Sequence, residues 1–230
     1  MAEVSGVVYL VRHGQASLFG RDYDRLSDLG LKQSRTVGET LAARGVVPAL
    51  VVRGSLERHR QTAETAIAAA GWDAPVHVDP LWAEIDHVDI IGALRPTYTS
   101  HAIMVDDLLT RPEPERAFRS IFDDALQVWL TGGASYIETH LEFRDRVDAA
   151  LGSVVGRLGR GGTAVVFSSG GPIAGVVAST LGLDTAGWLR MSRLVVNASV
   201  TKLVVGESGI TLLSFNEHAH VEARDQVTYH

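Results

Sequence analysis

The 230-residue sequence has no cysteine. This excludes disulfides, a thiolate nucleophile and cysteine-built zinc sites together, and it fits a protein of the cytoplasm. A basic surplus is also missing: 21 Lys and Arg stand against 27 Asp and Glu, leaving a formal charge of −6. No basic run could track a nucleic-acid backbone, so nucleic acid is not an expected partner. The apolar stretch near the N-terminus is too short to span a bilayer, and no basic leader or small-residue cleavage site surrounds it, so no membrane association is expected. Internal repeats and low-complexity segments are absent too. What is present is 46% hydrophobic, enough to bury a full core. The expectation is one domain over residues 1–230 carrying an insertion.

The chain is organised around Val11-Arg12-His13-Gly14-Gln15, which closes the apolar, β-branched run from Val7. That run predicts a buried strand delivering Arg12 and His13 to its end, where ligand-handling groups gather in open α/β sheets. An imidazole there, beside a permanent cation, has the chemistry to attack a phosphoryl group that the arginine holds. The plainer alternative is a capping arginine and a hydrogen-bonded turn histidine.

A polar loop follows, from Gln15 to Arg25, with Phe19 and Tyr23 among the charged Arg21, Asp22, Asp24 and Arg25, and is expected to border the site; then comes a helix that Ser27 caps. Leu26 and Leu31 are placed for a hydrophobic staple, and Leu31, Ser34, Gly38 and Leu41 mark its face towards the sheet. Ala49 to Val52 reads as a second strand. Gly54-Ser55 then leads into a helix with Ala63, Ala66, Ile67 and Ala70 on one side and Arg58 in its first turn, where free amides and the helix dipole favour an anion. Val76 to Val78 is a short third strand. From about 85 to 140 the strand-helix alternation stops; Phe118, Ile121, Phe122, Ala125, Val128 and Trp129 form a helical stripe, and the region reads as an inserted helical cap in which Arg95, Tyr98 and His101 are candidates for selectivity. A helix from Leu141 to Leu158 precedes a strand from Thr163 to Phe167, and Ser168-Ser169-Gly170-Gly171-Pro172 opens a second anion-ready helix. Ser199 to Val205 and Ile210 to Phe215 read as an edge hairpin. His218 and His220 lack further metal ligands, so an exposed tail is expected there and no metal site.

Arg12-His13-Gly14 after an N-terminal strand resembles the first motif of the histidine phosphatase superfamily, the phosphoglycerate-mutase-like proteins. Leu26, Ser27, Gly30 and Gln33 match its following run. Leu56-Glu57-Arg58-His59-Arg60-Gln61-Thr62-Ala63 is similar to its second motif, with Gly54-Ser55 in place of the usual serine-proline start. Val165 to Ile173 aligns with its third, and Asn197-Ala198-Ser199-Val200 with a late strand start that buttresses the site. The resemblance implies a three-layer α/β/α sandwich with a mostly parallel sheet and an inserted cap.

It also implies roles. His13 is the nucleophile, and Glu84, behind Leu81, is the acid that protonates the leaving oxygen, with Asp86 and Asp89 as rivals. Arg12 and Arg58 clamp phosphate, joined by Gln15, Ser17, Ser169 and Gly170. The family's second histidine falls on Ser169, a donor that is shorter and brings no positive charge; His87, three residues beyond Glu84, is a candidate auxiliary. The expected function is metal-independent and cofactor-free phosphomonoester hydrolysis through phosphohistidine, acting on a small phosphorylated molecule or binding inorganic phosphate. Mutase chemistry fits less well, because that pattern requires the second histidine. The alternatives are a non-catalytic or very slow phospholigand-binding protein, which Ser169 favours, and a metal hydrolase, for which Glu84-Ile85-Asp86-His87 is the one hint.

Overall fold

The computed structural model describes residues 4–17, 23–221 and 225–229. Strand β1 (Val4–Arg12) leads to helix α1 (Asp28–Ala43), β2 (Leu50–Arg53), α2 (Glu57–Ala70) and β3 (Val76–Val78). Four helices follow: α3 (His87–Leu94), α4 (His101–Leu108), α5 (Pro114–Thr131) and α6 (His140–Arg157). The chain then returns to β4 (Gly162–Ser168), α7 (Gly170–Leu181), α8 (Thr185–Ser192), β5 (Val200–Gly206) and β6 (Gly209–Glu217).

The strands form one sheet in the order β3-β2-β4-β1-β5-β6. The first four are parallel to one another, β5 is antiparallel to β1, and β6 is antiparallel to β5. Arg12 pairs with Ser168 and Arg53 with Phe167, so β1, β4 and β2 end side by side. The residues that follow therefore meet: His13 N donates to Ser168 O at 2.8 Å and Gly54 N to Phe167 O at 3.1 Å.

The central strands are apolar on both faces, as strands covered on both sides must be. Val11, Val51, Val165, Phe167 and Val200 pack with Val37 and Leu41 of α1 and Ala63 and Ala66 of α2. Their alternating neighbours Val8, Leu10, Val52 and Val166 are equally buried on the opposite face, where α7 adjoins β1. Each such side chain contributes about 1.5–3 kcal/mol on leaving water, which fixes the strand ends firmly enough to carry a site.

Helix α1 begins as expected, with Ser27 Oγ accepting from Gly30 N at 3.0 Å. Its buried stripe is Gly30, Gln33, Ser34, Val37, Gly38 and Leu41. Leu31, expected on that face, is 40% exposed, because it lies about 100° around the helix from Gly30.

The chain divides into two compact units, Met1–Glu84 with Arg146–His230, and Ile85–Asp145. In the second, α5 buries Ile121, Ala125, Leu126 and Trp129. Trp129 meets Phe143 and His140 edge-on, and Phe118 stacks on Phe122. No described helix is long and apolar enough to cross a membrane.

The C-terminal stretch departs from the expected exposed tail. His220 is part-buried with Nε2 2.8 Å from Ala198 O, and His218 Nδ1 is 2.7 Å from Asn216 O. Val221 is fully buried. Further on, Gln33 Nε2 donates to Gln226 O, and Asn197 N donates to Thr228 O. Backbone carbonyls of the tail thus answer buried donors that no periodicity in the tail itself announces.

Candidate active site

His13 sits one residue beyond β1 and is 4% exposed. Its Nδ1 lies 2.7 Å from Gly14 O. A carbonyl only accepts, so Nδ1 carries the proton and Nε2 keeps its lone pair. Burial first, and then the charges of Arg58, Arg12 and His59, hold the ring well below the usual histidine range, so it is neutral near pH 7. The turn is pinned from both sides. Gly14 N donates to Thr62 Oγ1 at 3.1 Å, and Asn197 Nδ2 donates to His13 O at 3.1 Å. Ala198, at φ 57°, a conformation uncommon for a non-glycine residue, aims its amide at the carbonyls of Arg12 and His13.

Two guanidinium groups flank this imidazole. Arg12 donates from Nη1 to Val195 O and from Nη2 to Tyr229 O at 3.1 Å. Burial lowers it to about 10, against the pull of Glu84, so it remains cationic at neutral pH. Arg58, 6% exposed at the start of α2, pairs through Nη1 with Asp24 Oδ1 at 2.6 Å and lies over the Tyr23 ring. Asp24 Oδ2 accepts from Glu57 N at 2.6 Å, so one carboxylate engages both the arginine and the helix start. In both arginines Nε is buried with no hydrogen-bond partner among the described residues. Unpaired buried donors are costly, and two of them beside a neutral imidazole suit an anion with several acceptor oxygens.

At the start of α7, Ser169 is fully buried and makes no cap bond; its Oγ is 2.7 Å from His59 Nε2. A Cβ at Gly170 would lie 3.6 Å from Arg12 Nε, so this helix start adjoins the arginine. Half-buried Glu84 accepts from Gly171 N at 3.0 Å. The rival acids serve the scaffold of the helical unit: Asp86 caps α3, and Asp89 Oδ2 accepts from Ile137 N.

His13, Arg12, Arg58, Ser169, Gly170 and Glu84 are thus linked around three strand ends. Gln15 has its Oε1 taken by Ser27 Oγ and its amide by Gln33, so it ties β1 to α1. Ser17 N donates to Arg25 O; Phe19 and the rest of the loop up to Asp22 fall outside the described residues. His87 lies in the other compact unit, with Nε2 3.1 Å from His101 Nδ1. No group of three or more metal-ligating side chains occurs among the described residues. The sequence reading missed three contributors: Asp24, Thr62 and His59. Thr62 and His59 had a signal, since spacing of four from Ala66 and from Ala63 puts them on the buried face of α2. Asp24 lies in the loop expected to border the site, but no spacing pairs it with Arg58, 34 residues away.

A family model described as the histidine phosphatase superfamily (branch 1) matches residues 8–218. Several solved structures share the fold. A phosphoserine phosphatase from Entamoeba histolytica in complex with 3-phosphoglyceric acid has a TM-score of 0.65 at 18% identity, over 94% of this chain and 98% of that one. A mycobacterial glucosyl-3-phosphoglycerate phosphatase gives 0.60 at 24%, over 91% and 98%. A phosphoglycerate mutase from Bacillus anthracis gives 0.65 at 17%, over 96% of each chain. No curated protein sequence matches the chain. With a family match that runs from within β1 to just past β6, and a fold held in common with phosphatases and a mutase, the chain belongs to the histidine phosphatase superfamily, whose chemistry is phosphoryl transfer.

Proposed function

We propose that the protein hydrolyses phosphomonoesters through a phosphohistidine intermediate on His13, without a metal ion. One observation carries the reading: a neutral buried imidazole whose Nδ1–H is fixed on Gly14 O, leaving the Nε2 lone pair free between two arginines with unpaired Nε donors. Arg12 and Arg58 hold the phosphoryl oxygens and neutralise charge as it develops, the part that a metal plays elsewhere. The Ser169 hydroxyl and the Gly170 amide add neutral donors. Nε2 attacks phosphorus, the ester P–O bond breaks, and Glu84 gives its proton to the leaving oxygen. Water then attacks the phosphohistidine, its proton passes to the Glu84 carboxylate, and the P–N bond breaks to release inorganic phosphate. The substrate is a small phosphorylated molecule.

Rapid quenching with a panel of aryl, alkyl and sugar phosphates, followed by mass analysis, tests this. Acid-labile phosphate is expected on His13, and His13→Ala is expected to lose turnover by about a thousandfold or more. Wild-type turnover in His13→Ala overturns the mechanism. Tight vanadate binding with no turnover across the panel selects instead a phospholigand-binding protein, the reading that serine at position 169 favours.

A further inference from the structure

Ser169 is an unusual helix-capping residue, because its hydroxyl turns away from its own helix. Its Oγ lies 2.7 Å from His59 Nε2, and both residues are fully buried. The chemistry of that bond depends on which atom holds the proton. Burial, then the charges of Arg58 and Arg53, hold His59 well below the usual histidine range, so the ring is neutral and carries one N–H. Nδ1 has no hydrogen-bond partner among the described residues. A Cβ added at Gly54 would lie 2.2 Å from Nδ1, so the Gly54 Cα hydrogen in that direction points at this nitrogen. A proton on Nδ1 would face another hydrogen and remain unpaired in the interior, whereas a bare lone pair there is tolerated. The proton therefore belongs on Nε2, where it donates to Ser169 Oγ. The Ser169 hydroxyl hydrogen then has no acceptor among the described residues, and its residue stands beside His13 across the paired ends of β1 and β4.

We propose that His59 is a positioning residue for phosphoryl transfer: by donating from Nε2 to Ser169 Oγ it directs the Ser169 hydroxyl hydrogen onto an oxygen of the phosphoryl group at His13. The inference rests on the phosphohistidine reading above. Accepting one hydrogen bond polarises the hydroxyl and strengthens the one it donates. This ties together two places where the sequence departs from the superfamily pattern. Gly54 makes room for the His59 ring, since any side chain there would strike Nδ1, and Ser169 is short enough to leave Nε2 within reach.

A double-mutant cycle on the full chain tests it, read out by vanadate affinity in calorimetry and by kcat on p-nitrophenyl phosphate. Ser169→Ala and His59→Phe, which fills the volume without the donor, are each expected to weaken vanadate about tenfold and to lower kcat rather than raise KM. The double variant is expected to lose no more than either single one. His59→Gln, whose amide nitrogen reaches the place of Nε2, is expected to recover most of the loss. Nitrogen-15 spectra of the wild type are expected to show His59 as the Nε2–H tautomer and His13 as Nδ1–H.

Losses that multiply in the double variant overturn the proposal, as does an Nδ1–H tautomer at His59; the tautomer is read on the wild type and needs no variant to fold. His59→Phe equal to wild type, in a protein that binds vanadate and turns over substrate, removes this inference alone. A wild type that does neither removes the phosphohistidine reading and the inference with it.

Discussion

The helices of this protein begin in two ways. Helices α1, α3, α4 and α8 are closed by their own residues: Ser27, Asp86, Ser100 and Asp184 each accept an amide of the first turn. Helices α2 and α7 are not. Leu56 has no side-chain acceptor, and Ser169 gives its oxygen to His59. Each instead borrows a carboxylate from a distant segment, Asp24 at Glu57 N and Glu84 at Gly171 N. Helix α5 also lacks a side-chain cap, but it opens on Pro114, which has no amide to satisfy. Under the proposed function, the difference separates stability from anion binding. A self-capped start holds its own acceptor in place, while a start left open beside a buried arginine keeps its positive end available to an anion that can leave again.

The largest effect is expected at Arg58, the charge that stands at one open start. Arg58→Ala is expected to lower kcat/KM by about a hundredfold or more, and Arg58→Lys to recover little, because Asp24 and the phosphoryl group require a planar fork. Steady-state kinetics check both. An Arg58→Ala enzyme within a few-fold of wild type would mean that the α2 start does not serve the anion.

Glu84, which serves the other open start, sharpens the contrast. Glu84→Gln keeps an acceptor for Gly171 N but loses the proton donor. Its kcat is expected to fall by about 10²-fold on alkyl phosphates and much less on p-nitrophenyl phosphate, whose phenolate leaves without help. Equal losses on both classes would assign Glu84 to positioning alone.

Acid provides a milder test, because two histidines between the open starts are held neutral. His13 and His59 both titrate well below 6.5 in the fold. In the unfolded chain they bind protons near ~6.5. Below that pH the unfolded state binds more protons, so stability is full above about 6.5 and falls with pH until the folded-state values are reached. The slope is expected to be up to about 1.4 kcal/mol per pH unit for each histidine. Urea unfolding at stepped pH measures it, and His59→Gln is expected to reduce it by roughly half.

The smallest effect belongs to a self-capped start. Asp184 Oδ1 accepts from Gly187 N at 2.8 Å at the head of α8. Asp184→Ala is expected to cost about 1 kcal/mol of stability and to leave turnover unchanged, as denaturant midpoints and kinetics on the same preparation would report. A loss of turnover without a loss of stability would reverse the division drawn here.

Local physics made much of the fold legible. The run Val7 to Val11 could hardly be other than a buried strand, Ser27 announced α1, and Thr163 to Phe167 followed by Ser-Gly-Gly-Pro announced β4 and α7. The stripe on α5 was legible for the same reason, although Leu126 joins it and Phe118, Phe122 and Val128 are less buried than the pattern suggests. Leu31 and the tail near His220 were misread, one because a leucine next to a stripe is not in it, the other because docked carbonyls leave no mark on side-chain pattern.

Strand and helix periods and the chemistry of capping residues are local, which is why His13 and Arg12 could be read as ending a strand and Arg58 and Ser169 as opening helices. Which strand ends lie together is a property of the folded sheet, since the register of β1, β4 and β2 is set by burial on both faces across segments up to 156 residues apart. The tertiary structure also set the surroundings of the two histidines: Gly14 O faces Nδ1 of one, while Gly54 and Ser169 face the two nitrogens of the other, on which the proposed Nε2–H tautomer rests. For His59 those two partners are brought together by the strand register, and no sequence spacing encodes the distance between them.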